Sequence, residues 1–390
     1  MRILHVFRAP LGGLFRHVLD VAHGQVERGH EVGIFCDAST GGARGTDTLE
    51  ALRPRLALGL HRVPMRRQLH PLDATALLSL GRVYRRLRPN VLHGHGSKGG
   101  AFARLVASPS LDRTTIRAYT PHGGSFNYHP GTLAHRLYMA AETILARRTD
   151  VFLFESNYVR GRFDAFVGAT AALVRTVHNG IADHEFEPLQ RRDNPFDLIY
   201  IGELREAKGV DTLIEALGLI RRDHNLRLTL LVVGSGPDEG TLQDLAKANG
   251  VWDSIAFVPP QPIRKALERA RIMVIPSKAE SLPYVILEAA AAGQPLVSTN
   301  VGGIGEIFGP WADELFRPGD PALLAARIVE KHREPDERRR DKAVALSRHV
   351  RKGFCIGGMV DGVMAGYGAA FAARKLSPSA DLATKALSVP

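Results

Sequence analysis

The 390-residue chain is long enough for two domains, and 45% hydrophobic with 23% charged residues is the composition of a folded globular protein. Only Cys36 and Cys355 are present, which excludes a disulfide framework and any Cys/His spacing for structural zinc, so a reducing, cytosolic setting is expected. A net charge of +11 favours three kinds of partner: phosphorylated substrate, anionic membrane or nucleic acid.

The N-terminal MRILHVFRAPLGG is too short an apolar stretch for a signal peptide and runs into a Pro and Gly turn. RILHVF, HEVGIFCD, NVLHGHG, TIRAYTPHG and TDVFLFES read as short strands separated by helix-period stretches such as FRHVLDVAHGQVERG. Strand alternating with helix predicts a parallel α/β layer. The basic excess belongs here, because residues 1–190 hold 24 Lys/Arg against 15 Asp/Glu. Between Arg53 and Arg104, eleven basic residues face one acid, Asp73. Within that stretch Leu72, Ala76, Leu80, Val83 and Leu87 make one apolar stripe, so a basic amphipathic helix carries Arg82, Arg85, Arg86 and Arg88. Two readings stand: a surface helix docked on the core, or a contact with an anionic membrane. No nucleic-acid motif or aromatic platform accompanies the arginines, so nucleic acid is not expected.

After ADHEFEPLQRRDNP the rhythm restarts near Pro195. Strands are expected in DLIYIGEL, LRLTLLVVGSG, SIAFVPP, IMVIPS and QPLVST, with helices in VDTLIEALGLIRRDH and LPYVILEAAAAG. From Pro321 the chain is helix-rich, and KLSPSADLATKALSVP reads as a frayed tail. No run approaches eighteen consecutive apolar residues, so no membrane span is expected. The predicted division is 1–185, 186–355, a final helix at 356–374 and a tail at 375–390.

The most specific chemical signal is in KAESLPYVILEAAAAG. Glu280 lies in a loop and Glu288 inside the next helix, with Ser281 expected as its N-cap and Pro283 in its first turn. The start of that helix is an anion seat, Glu288 can bind paired ribose hydroxyls, and Glu280 can hold sugar hydroxyls. This stretch resembles the E-x7-E segment of retaining glycosyltransferases of family 4 with the GT-B fold. Other motifs of that group follow in order. YIGELREAKGVDTLIEAL, with Gly202, resembles the loop in which an Arg and a Lys grip the donor diphosphate; Arg205 and Lys208 take those places. This chain departs from the family wording by placing Glu203 directly after the glycine.

LLVVGSGPDEG, with Gly234, resembles the family's Gly-x-Gly-Pro turn, and NVGGIGEIFG, with Gly302, Gly303 and Glu306, its VGG-x-x-E turn. In the first half, Gly12 and Gly13 resemble the opening glycine loop, with a helix expected from Leu14 or Phe15. NVLHGHGSKGG resembles an acceptor-side stretch at the cleft edge, through His93, His95, Ser97 and Lys98. His93 and His95 are two apart with no third ligand nearby in sequence, so no metal is expected there. YTPHGG supplies His122, which resembles the family histidine near the donor's anomeric carbon. Ser156, Asn179 and Gly180 resemble architectural segments before the linker, and FCIGGMVDGVMAGYGAAF the family's last helix, which packs on the first domain.

The resemblance implies two Rossmann-like doubly wound α/β domains facing a central cleft. It implies an enzyme acting from the cytoplasmic side on a nucleotide-diphosphate sugar and a glycan or polyprenyl-linked acceptor; no Asp-x-Asp occurs in the chain, so metal-independent turnover with no cofactor is expected. Catalytic roles fall to His122, Lys208, Arg205 and Glu280. Donor contacts fall to Gly12, Gly13, Gly202, Gly234, Ser281, Leu282, Pro283, Tyr284, Val285 and Glu288. The alternatives are a nucleotide-sugar epimerase of the same fold and a non-catalytic nucleotide-sugar or glycan binder. A dinucleotide dehydrogenase fits worst, since the glycine turn is malformed for that role.

Overall fold

A computed structural model describes residues 1–68, 70–106, 114–190 and 192–375. Of the tail expected at 375–390, residues 376–390 lie outside the described residues. The chain forms two units: Met1–Gly180 joined by the stretch from Ile356, and Ile181–Cys355.

The first unit runs β1 (Arg2–Val6), α1 (Gly12–Glu27), β2 (Glu31–Asp37), α2 (Gly42–Leu52), β3 (Gly59–Val63), α3 (Leu72–Leu87), β4 (Val91–His95) and α4 (Gly96–Val106). It continues with β5 (Ile116–Thr120), α5 (Leu133–Ala146), β6 (Val151–Phe154), α6 (Asn157–Phe166) and β7 (Leu173–Thr176). All seven strands are parallel in the order β3-β2-β1-β4-β5-β6-β7. The central strands are covered on both faces, which is why β1, β4, β5 and β6 read as near-continuous buried runs. The edge strands β3 and β7 are half-buried and were not expected from the sequence, because neither GLHRV nor LVRT carries such a run.

The second unit runs β8 (Phe196–Ile201), α7 (Val210–His224), β9 (Leu230–Val233), α8 (Glu239–Ala248), β10 (Ile255–Val258), α9 (Ile263–Leu267) and β11 (Ala270–Ile275). Then come α10 (Tyr284–Ala291), β12 (Leu296–Ser298), α11 (Ile304–Phe308), α12 (Pro321–Arg333) and α13 (Asp336–Gly353). Its five parallel strands are ordered β10-β9-β8-β11-β12. In each sheet the strand order reverses beside the first strand, between β1 and β4 and between β8 and β11, and the carboxyl end of such a switch is where open parallel sheets bind ligands.

The final helix, α14 (Ile356–Ala373), belongs to the first unit. By length and mean hydropathy of 1.2 it is apolar enough to cross a membrane, a property the sequence reading did not anticipate. One face is spent on the core: Met359, Val363, Tyr367, Ala370 and Phe371 pack with Ile3, Val21, Val91, Ile116 and Val151. Helix α3 buries Ala76, Leu80 and Tyr84 and leaves Arg82, Arg85, Arg86 and Arg88 exposed. An exposed apolar stripe lies instead on α5, where Leu133, Leu137 and Ile144 are 71%, 63% and 63% exposed and Arg136 and Arg147 are exposed beside them.

Candidate active site

In the second unit the loops after β8 and β11 bring a cation onto a carboxylate. Lys208 Nζ stands 2.6 Å from Glu280 Oε1, and the Ser277 hydroxyl donates to the same oxygen at 2.8 Å. With side chains 20% and 9% exposed, the pair is partly desolvated, so each charge acts more strongly than at an open surface. Two glycines allow the surrounding loops to close in. Gly302 has φ +62°, and a Cβ there would meet the Glu280 carbonyl at 2.2 Å; a Cβ on Gly234 would meet the Gly202 carbonyl at 1.9 Å. The turns at 202–209, 276–283 and 302–303 therefore crowd round one point, the carboxyl end of the β8/β11 switch.

Arg205 is held by the residue that departs from the family pattern: Glu203 Oε2 lies 3.0 Å from Arg205 Nε, with the arginine side chain half-buried and the glutamate exposed. The helix carrying Glu288 starts later than expected, at Tyr284 with Pro283 as N-cap and no capping side chain. Ser281 lies outside that first turn, and its carbonyl instead receives the Gly303 N–H, which fixes the loop. Leu282 and Tyr284 are buried in the core of the unit, so their side chains are spent on packing. Ser281, Pro283, Val285 and Glu288 are half-buried.

In the first unit the β1/β4 switch is lined by imidazoles. His5 and His93 are register partners on β1 and β4, and His95 ends β4. His17 comes from α1 and His122 from the loop after β5. His93 is fully buried and His95 is 1% exposed, which corrects their expected place at a cleft edge. Buried polar rings must be hydrogen-bonded, and these are. His93 meets Tyr367 Oη at 2.7 Å and Thr120 Oγ1 at 2.9 Å, and His95 meets His5 at 2.9 Å and His122 at 3.2 Å. Burial in this pocket lowers His5 and His17 to about 4 and holds His93, His95 and His122 well below the usual histidine range, so the rings are neutral at pH 7.

His122 itself is partly exposed, has φ +53°, and its N–H donates to Glu155 Oε2 at 3.1 Å. Such a left-handed conformation is strained for a residue with a Cβ, and it is held by the loop around it. Lys98 does not face a ligand either: its ammonium donates to the Arg66 and Gln68 carbonyls and to Asp73, tying the loop before α3 to α4. Ser97 is half-buried in the first turn of α4. Gly12 and Gly13 are exposed and form the first turn of α1, earlier than the expected start at Leu14 or Phe15.

The sequence reading missed His5, His17 and Gln25. Each is a polar residue at a position the apolar pattern assigns to the interior, and that was the available signal. Their arrival also removes the reason given for expecting no metal ligands. His5, His93 and His95 form one group, and His17, His95 and His122 another, with ligand atoms within 4.8 Å of one another. Among the described residues, His17 Nε2 is buried without a partner, while its Nδ1 faces Asn179 Oδ1 at 3.0 Å.

Residues 11–185 match the family described as Glycosyltransferase Family 4, and residues 182–345 that described as Glycosyl transferases group 1. A glycogen synthase of Mycobacterium tuberculosis is 32% identical over 271 residues, which are 67% of this chain and 64% of that protein, so the match spans somewhat under two thirds of its length. The putative glycosyltransferase EpsD of Bacillus subtilis is 29% identical over 297 residues, covering 70% of this chain and 76% of that protein. Among solved structures, a sucrose-phosphate synthase from Thermosynechococcus elongatus gives a TM-score of 0.78 at 17% identity, covering 96% of this chain and all (100%) of that one. Anabaena Alr3699/HepE, in complex with UDP and glucose, gives 0.76 at 16% identity, covering 94% and 98%. Those likenesses establish the GT-B α/β fold, and the two matched segments together establish that the chain belongs to the group 1, family 4 glycosyltransferases.

Proposed function

We propose that the chain is a retaining glycosyltransferase that takes a sugar from a nucleotide-diphosphate donor. The observation that carries this reading is the Lys208–Glu280 pair at the β8/β11 switch, ringed by glycine turns. In transfer, negative charge grows on the departing diphosphate while the sugar gains oxocarbenium character. Lys208, with Arg205 and the backbone amides at the start of α10, stabilises the diphosphate; Glu280 holds sugar hydroxyls and keeps the lysine placed between donor binding and release. Glu288 binds the ribose. For His122, the role near the reacting sugar rests on the family resemblance alone.

Retention is attributed to front-face attack with the leaving phosphate as base, since the sequence shows no acid and base paired at a readable spacing. Alr3699/HepE is described in complexes with UDP and UDP-glucose, which makes uridine diphosphate sugars the first donors to try. The acceptor is a glycan or polyprenyl-linked sugar met at the cytoplasmic face of the membrane, with the α3 arginines and the α5 apolar stripe turned to anionic lipid. Turnover needs no divalent cation, because no Asp-x-Asp clamp is present in the chain.

The test is donor turnover by the wild type and by Lys208→Ala. Transfer releases nucleoside diphosphate and the variant loses that release; isomerised donor marks an epimerase, and binding without either product marks a binder. The Glu203–Arg205 ion pair is the feature that favours the binder, because it offsets one of the two cations.

A further inference from the structure

Three imidazoles of the first unit, those of His5, His95 and His122, are joined in one line that starts at an amide. Gln25 Oε1 lies 2.8 Å from His5 Nε2, His5 Nδ1 lies 2.9 Å from His95 Nε2, and His95 Nδ1 lies 3.2 Å from His122 Nε2. From this geometry we infer that Gln25 is a positioning residue that fixes the tautomer of His122 through His5 and His95, leaving His122 Nδ1 as a lone pair.

A carbonyl oxygen can only accept, so the hydrogen between Gln25 and His5 resides on His5 Nε2. A neutral imidazole carries one N–H. His5 Nδ1 is therefore an acceptor, and the hydrogen in the next contact is on His95 Nε2. The same step repeated once puts the hydrogen of the last contact on His122 Nε2. Protonation of any of these rings would break the chain, and burial opposes it: Gln25 and His5 are 0% exposed and His95 is 1% exposed.

A second branch starts from the same amide and follows its orientation. Gln25 Nε2 points to Tyr367 Oη at 3.5 Å, and that hydroxyl is 2.7 Å from His93 Nδ1, whose Nε2 is 2.9 Å from Thr120 Oγ1. The amide donates, the tyrosine passes its hydrogen to His93 Nδ1, and His93 donates to the threonine. Rotating the one amide by a half turn would reverse every hydrogen in both branches, so Gln25 acts as the selector. His122 then offers an acceptor to a substrate hydroxyl and cannot donate from Nδ1. The chemical use of that lone pair rests on the proposed transferase reading; the tautomer does not.

The experiment is long-range 1H–15N correlation on the full chain with 15N-histidine labels, in the wild type, Gln25→Leu and Gln25→Glu. The expected wild-type result is the Nε2–H tautomer for His5, His95 and His122. Gln25→Glu, whose carboxylate also only accepts, keeps His5 Nε2 protonated, whereas Gln25→Leu yields a mixture at His122. In turnover assays Gln25→Leu lowers kcat about tenfold with little change in donor KM, because a positioning defect in the first unit leaves donor contacts intact. An Nδ1–H tautomer at His122 in the wild type overturns the inference. So does a bound transition metal in the purified protein, which would claim the nitrogens the chain uses. The wild-type spectrum decides the tautomers even if Gln25→Leu fails to fold, and Gln25→Glu, which keeps the shape of the side chain, then tests the part played by Gln25. A wild type that shows the expected tautomers and releases no diphosphate from any donor refutes the transferase reading alone.

Discussion

Replacing Lys208 by alanine removes the cation that lies 2.6 Å from Glu280 and leaves a 9%-exposed carboxylate with the Ser277 hydroxyl still donating to it. Losing one partner of a fully buried pair costs about 3–5 kcal/mol; partial exposure here brings that to about 2 kcal/mol. For a unit of this size, such a loss lowers its thermal transition by roughly 4–8 °C. The catalytic effect is separate. A cation aimed at the growing charge on a leaving group is worth about 10²–10³ in rate, or about 2.7–4 kcal/mol. Adding Glu280→Gln removes the stranded charge, so the double variant regains stability while turnover stays low. The assay is nucleoside diphosphate release at saturating and limiting donor, paired with calorimetry. A folded Lys208→Ala whose kcat/KM stays within about threefold of wild type refutes the assignment of transition-state stabilisation to this lysine.

Glu203→Gln frees Arg205 from its ion pair and is expected to lower the donor KM by about two- to fivefold, read by initial rates, since a single exposed pair is worth about 1 kcal/mol or less. Arg104 Nη1 lies 2.8 Å from Glu142, which also accepts from Tyr119 at 3.1 Å and Ser125 at 2.8 Å, so Arg104→Leu should destabilise the first unit by about 3–5 kcal/mol in denaturant unfolding. His5 and His17 have native values of about 4 against 6.5 when unfolded, so the unfolded chain binds more protons between those limits. Stability of the first unit is therefore full above about pH 6.5 and falls as pH drops towards 4, by up to about 3 kcal/mol per ring, which thermal unfolding across that range measures. Leu137→Glu on the α5 stripe should weaken sedimentation with anionic vesicles by about tenfold or more and leave donor turnover in solution unchanged; unaltered sedimentation would count against the membrane reading.

The alternation of strand and helix was readable because central strands buried on both faces are written as apolar runs, whereas β3 and β7 at the sheet edge carry no such mark. Lys208 and Glu280 could be found from sequence because each sits in a short motif beside glycines that the loops require. Their contact, across 72 positions of chain, comes only from the parallel order β8-β11. The histidine line was illegible for a related reason. His5, Gln25, His95 and His122 lie on four separate elements, and each alone looks like an ordinary polar residue inside. The start of α10 was misplaced because Ser281 has the right chemistry for a cap, but its backbone is committed to Gly303.

The most direct test is the thermal transition of the full chain against UDP, GDP and ADP, for the wild type and Lys208→Ala in parallel, with EDTA present. The account predicts that one nucleoside diphosphate raises the wild-type transition without metal and that the variant loses most of that rise. No shift with any of the three, or an equal shift in the variant, would contradict it.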